Sequence, residues 1–337
     1  SPHERKQAAL LLVMILIMAF LDMIGVASIL PFMAALTNPI LIDTNFILNT
    51  IFQASKIFGV ENSEQFLIAL GFLVFGLLVV SLFFKALTTY AIIRFVRMRE
   101  YSIGKRLVEG YLHQPYSWFL SRNSAELGKA ILSEVGQVIG FGIIPLMDLI
   151  SKSMVTIALI FLLIIANPKV ALLIGFSLGG AYLLIFYFIR GYLNRIGKDR
   201  LKNNQLRFMV VSEAFGAAKE LKVGGLEEIY IKRFSDPAKI FAQTTASSQV
   251  IAQLPRFILE AIAFGGIILI MLYMMTQTDN FNSIIPIFSL YVFAGYRLMP
   301  ALQQIYASFT NLTFVGPALE KLYKDLKNLK SLNLNQD

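Results

Sequence analysis

Residues Ala8–Leu36 read AALLLVMILIMAFLDMIGVASILPFMAAL, an apolar stretch whose one charge is Asp22. A bilayer core takes about 20 apolar residues per helical span. Runs of the same kind recur at 66–93, 143–166, 168–189, 257–275 and 283–314. A chain of 337 residues that is 56% hydrophobic and 15% charged cannot hide so many in a water-soluble core. In lipid each backbone polar group must be satisfied within its own segment, which favours helices. The reading is an all-α membrane protein crossing the bilayer six times.

The connections between runs predict orientation. Residues 37–65 carry only Lys56, the turn at 167–169 only Lys169, and 276–282 no cation. The alternate connections hold most of the rest, including Arg94, Arg97, Lys105, Arg190, Lys198, Arg200 and Lys202, and the C-terminal stretch adds Lys321 and Lys324. Cations near span ends stay in the cytoplasm, which puts both termini inside and 37–65 outside. The net charge of +9 is then chiefly a topology signal. No aromatic-basic recognition module accompanies the cations, so no nucleic-acid partner is expected. There is no cysteine, hence no disulfide, thiolate metal site or cysteine nucleophile. The two histidines, His3 and His113, have no matching ligand cluster, and no metal is expected. The basic start resembles a signal peptide, but the run after it is too long and contains Asp22, which favours a retained span.

The inside connections, 94–142 and 190–256, do not read as loops. They keep helix-forming composition, with few prolines or glycines between Ala91 and Tyr111 or between Tyr192 and Lys222. A second helix over 66–112 would be ~70 Å long, against a hydrocarbon core of ~30 Å. Helices therefore project into the cytoplasm; two separate helical subdomains are the alternative. The spacing predicts reversals at 113–119, where Pro115 disfavours helix at Gln114, and at 223–226, where Gly224 and Gly225 supply unusual backbone angles. Outside, Ile47, Ile51, Ala54 and Phe58 approximate one helical face. A short interfacial helix is expected there, either meeting a lipid tail or capping neighbouring spans.

This arrangement resembles the transmembrane domain of ABC (ATP-binding-cassette) exporters, and three stretches carry the resemblance. Phe20–Phe32 is similar to that family's acidic–glycine–proline pattern in span one. Tyr116-Ser117-Trp118-Phe119, followed by Asn123–Leu127, resembles its first coupling helix. Ala218–Glu227, running to Arg233-Phe234, resembles the approach to its second. The resemblance implies one transmembrane domain over 1–325, with spans about 8–36, 66–112, 125–166, 168–222, 230–276 and 283–325. Residues 326–337 would begin a linker to a nucleotide-binding domain. It also implies coupling through Tyr116, Trp118, Phe119, Gly225, Leu226 and Glu227, a homodimer with a second copy, and a bacterial inner-membrane location. A narrower resemblance, to PglK-type lipid-linked oligosaccharide flippases, rests on Leu254–Glu260, Tyr296–Ala301 and the cation in Phe84-Lys85-Ala86-Leu87, here lysine rather than arginine. No G-x-x-x-x-G-K-[ST] phosphate loop occurs in the sequence. ATP and Mg are therefore expected on a cassette domain of the full-length chain or of a separate one. The non-Met start and polar end favour a membrane-domain fragment.

Ionisable residues inside spans are costly and are functional candidates. Counted by helical rise from the outer ends, Arg297 sits ~21 Å, Lys85 ~28 Å and Arg256 ~30 Å deep. These cations are the expected substrate-binding residues, because arginine's planar fork and lysine's point charge both suit a pyrophosphate. Structural pairing is the competing expectation: Arg256 with Glu260 four residues on, and Lys85 with Asp22 between spans. For Asp22 and Glu260 the structural role is favoured; for Lys85 both stay open. Catalytic residues are not expected here. Rival functions are an exporter of another lipid, drug or peptide, an ion-coupled secondary transporter, and a non-transporting scaffold.

Overall fold

The computed structural model describes residues 2–56, 60, 62–120, 124–166, 168–277 and 285–333. The side chains of Ile47 and Arg297 lie outside the described residues, as does Phe58. The described residues contain helices and no strand. In order they are α1 (Pro2–Ala27), α2 (Ile29–Thr37), α3 (Leu41–Thr44), α4 (Phe46–Lys56), α5 (Ser63–Leu112) and α6 (Tyr116–Leu120). A nearly continuous helix follows: α7 (Ser124–Lys129), a π turn (Ala130–Glu134), α8 (Val135–Val138), a second π turn (Ile139–Ile143) and α9 (Ile144–Ala166). The chain ends with α10 (Pro168–Gly216), α11 (Ala218–Gly224), α12 (Glu227–Gln277) and α13 (Ile285–Asn333).

Three stretches among the described residues are long and apolar enough to cross a membrane: Arg5–Thr37, Ser63–Leu112 and Ala125–Ile165. The other three apolar runs fall on α10, α12 and α13, each of which includes side chains outside the described residues. The protein is an all-α, multi-pass membrane protein.

The chain divides into two compact units. The first holds Ser1–Ile92, Ile150–Ala181 and Arg256–Ile305, which gathers most of the apolar sequence. Its inner cluster joins Met18, Ala19, Val26, Val155, Leu159 and Leu298. Large apolar side chains face outward as well; Phe20, Phe75, Phe83, Phe161 and Phe176 are all more than half exposed. An apolar outer surface on an apolar core is what lipid solvent selects and water would not. The second unit holds Ile93–Leu149, Tyr182–Pro255 and Tyr306–Asp337, with a cluster of Leu193, Ile196 and Phe314 flanked by Phe141 and Ile251.

Span one is present over Arg5–Thr37, with a one-residue break at Ser28 between α1 and α2. Pro31 has no N–H and its ring crowds the carbonyl of Ala27 four residues back, so regular helix fails there. The Ser28 hydroxyl instead donates to the Gly25 carbonyl at 2.9 Å. In the 37–65 segment, the buried face of α4 is Leu48 and Phe52 with Ile51, one residue off the predicted stripe, and Ala54 is exposed. Phe52 meets Phe66 edge-on at 5.1 Å, and the cluster includes Ala35, Ile42 and Leu70. Within this unit α4 caps the ends of α2 and α5.

Candidate functional site

In the first unit α1 and α5 approach closely at Gly25, where an added Cβ would stand 3.4 Å from Leu78. That approach brings Asp22 to Ser81, whose hydroxyl donates to Asp22 Oδ1 at 2.7 Å. One helical turn along α5, Lys85 Nζ lies 3.9 Å from Asp22 Oδ2. The carboxylate is 1% exposed, while the lysine side chain is 38% exposed. The contact is too long for a hydrogen bond. Lys85 is thus held near a buried carboxylate, with no hydrogen bond from its ammonium group among the described residues.

Arg256 lies on α12 within the same unit. Its Nε donates to Glu260 Oε1 at 2.6 Å, an i,i+4 ion pair with both side chains partly exposed. The expected pairing of Arg256 with Glu260 is present, and so is that of Lys85 with Asp22. Arg297 sits on α13, but its side chain lies outside the described residues, so its partners are not part of this geometry.

The two reversals lie in the second unit. α5 ends at Leu112, and Gln114 N–H donates to the Tyr111 carbonyl before α6 begins. Trp118 turns back onto α5, stacked on Tyr111 at 5.5 Å, with Phe119 edge-on to it at 5.2 Å. Tyr116 and Leu120 are the exposed apolar groups of this elbow. At the second, Gly225 adopts φ 58° and ψ 37°, a left-handed conformation that ends α11. The break at Ala217, between α10 and α11, has no counterpart in the sequence reading. Leu226 is 39% exposed, and Glu227 accepts a 2.9 Å hydrogen bond from Lys222. That bond holds the Glu227 carboxyl below its ordinary range. Val211, Phe215, Leu221, Ile231 and Phe234 line an apolar hollow of about 460 Å³ beside this elbow.

The sequence reading missed a buried polar cluster in the second unit. Glu134, at the end of the first π turn, accepts from Arg200 Nη2 at 3.0 Å and Asn204 Nδ2 at 2.8 Å. Lys129 Nζ is 3.9 Å away and has no hydrogen-bond partner among the described residues. Lys129 and Arg200 are each 1% exposed. Beside them Lys321 pairs with Glu126 at 2.8 Å. Arg200 reads as a topology charge because its partner is distant in sequence; Lys129, five residues before Glu134, falls outside the i,i+3 and i,i+4 spacings that mark a helical pair.

No group of three or more His, Asp or Glu side chains able to hold a metal occurs among the described residues. The chain matches the ABC transporter transmembrane region over residues 15–301, most of its length. It belongs to that family. As an ABC exporter transmembrane domain, it works with an ATP-binding cassette domain.

Proposed function

We propose that this ABC exporter domain belongs to a flippase, of the PglK type, for lipids carrying a pyrophosphate-linked oligosaccharide. The observation that carries the reading is that Lys85 and Arg256, both on apolar helices, keep cationic donors accessible beside carboxylates. A buried structural pair would use its donors up; among the described residues these two have donors left for an anion. Arg297 joins them on the strength of its place in Tyr296–Ala301, one of the stretches that resemble such flippases. Lysine meets a phosphate as a point charge, and arginine as a fork able to bind two oxygens.

In this reading the transporter is a homodimer in a bacterial inner membrane, with both termini cytoplasmic. ATP and Mg bind the cassette domains. Tyr116, Trp118 and Phe119 at one elbow, and Gly225, Leu226 and Glu227 at the other, transmit cassette closure to the helices. Trp118, stacked on Tyr111, makes the first elbow rigid, while exposed Tyr116 supplies contact area. The second elbow turns sharply at Gly225, which presents Leu226 and Glu227 together at its tip. Rigid elbows convert cassette motion into alternating access instead of absorbing it.

The test is flipping of a polyprenyl-pyrophosphate oligosaccharide by the full-length transporter in proteoliposomes. Lys85→Met, Arg256→Met and Arg297→Met are each expected to slow it at least tenfold. Unchanged flipping in all three would leave the exporter fold standing and assign it another cargo.

A further inference from the structure

We infer that Glu260 is a positioning residue for Arg256, and that its carboxylate limits how tightly an anionic headgroup is held. This rests on the reading that Arg256 meets the headgroup phosphates. Glu260 Oε1 takes the Nε edge of the guanidinium at 2.6 Å. No other polar contact to Arg256 occurs among the described residues, so the Nη1 and Nη2 edge remains open. That edge has the geometry that grips two phosphate oxygens.

Glu260 therefore acts on an incoming anion in two opposite ways. It fixes the direction of the fork, which favours binding. It also places a negative charge a few ångströms from the phosphates, which opposes binding. A pyrophosphate brings more than one negative charge, so the repulsion scales with the headgroup while the orienting benefit does not. Repulsion wins for a pyrophosphate. The pair is also arranged with arginine N-terminal to glutamate, the weaker order for an i,i+4 contact on a helix. It opens readily when an anion pulls the fork away. For a transporter, a counter-ion that re-engages Arg256 offers a route to release, because a cation left bare would retain its cargo.

The experiment measures the affinity of the full-length transporter, with its cassette domain, in nanodiscs of neutral lipid. Farnesyl pyrophosphate, farnesyl monophosphate and farnesol are the probes. Glu260→Gln is expected to bind the pyrophosphate about two- to fivefold more tightly than the parent, the range an exposed ion pair spans. The gain shrinks for the monophosphate and vanishes for farnesol. It also vanishes in an Arg256→Met background, while Glu260→Asp, which retains the carboxylate, restores parental affinity. A gain equal for all three probes, or weaker pyrophosphate binding in Glu260→Gln alongside a weakening Arg256→Met, would overturn the inference and leave the phosphate site intact. Parental affinity in Arg256→Met would overturn that site and this inference together.

Discussion

Glu134 neutralises two buried cations with one carboxylate, and the two do not depend on it equally. Arg200 forms a 3.0 Å hydrogen bond to it and lies over the Phe314 ring, whereas Lys129 stays 3.9 Å off with no hydrogen bond among the described residues. Removing one partner of a buried ion pair strands the other, at a cost of about 3–5 kcal/mol. Glu134→Gln is therefore expected to destabilise the protein by about that amount, read by denaturation in detergent. Lys129→Met removes a charge with poor compensation, and its effect should be near neutral or stabilising. A loss as large as that of Glu134→Gln would show that Lys129 is better paired than its geometry indicates. Glu227 is the exposed counterexample. Its folded pKa is depressed by Lys222, so the pair's contribution exists above the unfolded value and is lost as pH falls through the folded one. The effect of Glu227→Gln on lipid-stimulated ATPase activity should accordingly be the same at about pH 6 and about pH 8.

At the scale of elements, close helix approach decides which positions tolerate change. A Cβ at Gly197 on α10 would overlap the Phe314 carbonyl oxygen on α13, and backbone cannot step aside as a side chain does. Gly197→Ala should cost about 1–3 kcal/mol, seen as a lowered melting temperature. Gly225→Ala should be milder for stability, about 1–2 kcal/mol for a left-handed alanine. Much of this level was legible beforehand. Pro115 and the Gly224-Gly225 pair marked the two reversals, since proline and glycine act on their own backbone. The break at Ser28 was also encoded locally, in Pro31, but hydropathy hides it because the apolar run continues through it. The α4 stripe slipped by one residue because Leu48 and Phe52 are chosen by Phe66 and Leu70, not by the segment's own periodicity. The π turns and the Glu134 cluster were not legible. Arg200 and Asn204 lie on α10, and no local pattern pairs an acid with a cation that far along the chain. For the candidate site, the sequence named the residues and both pairings, but not their geometry: a 3.9 Å contact short of a hydrogen bond at Lys85 and a pairing through Nε at Arg256.

For the whole molecule, one division recurs in composition and in space. Apolar runs gather in the unit that holds Asp22, Lys85 and Arg256, while the second unit holds both elbows and the Glu134 cluster. In the proposed reading, cargo meets residues of the first unit and the cassette meets the elbows of the second. Pairing with a cassette follows from the family; pyrophosphate cargo is the claim that most needs a direct test. That test is transport by the full-length transporter in proteoliposomes, comparing a polyprenyl-pyrophosphate oligosaccharide with its uncharged glycolipid counterpart, with and without ATP. The account predicts ATP-dependent flipping of the pyrophosphate lipid and little of the uncharged one. Equal transport of the two, or transport indifferent to ATP, would contradict it.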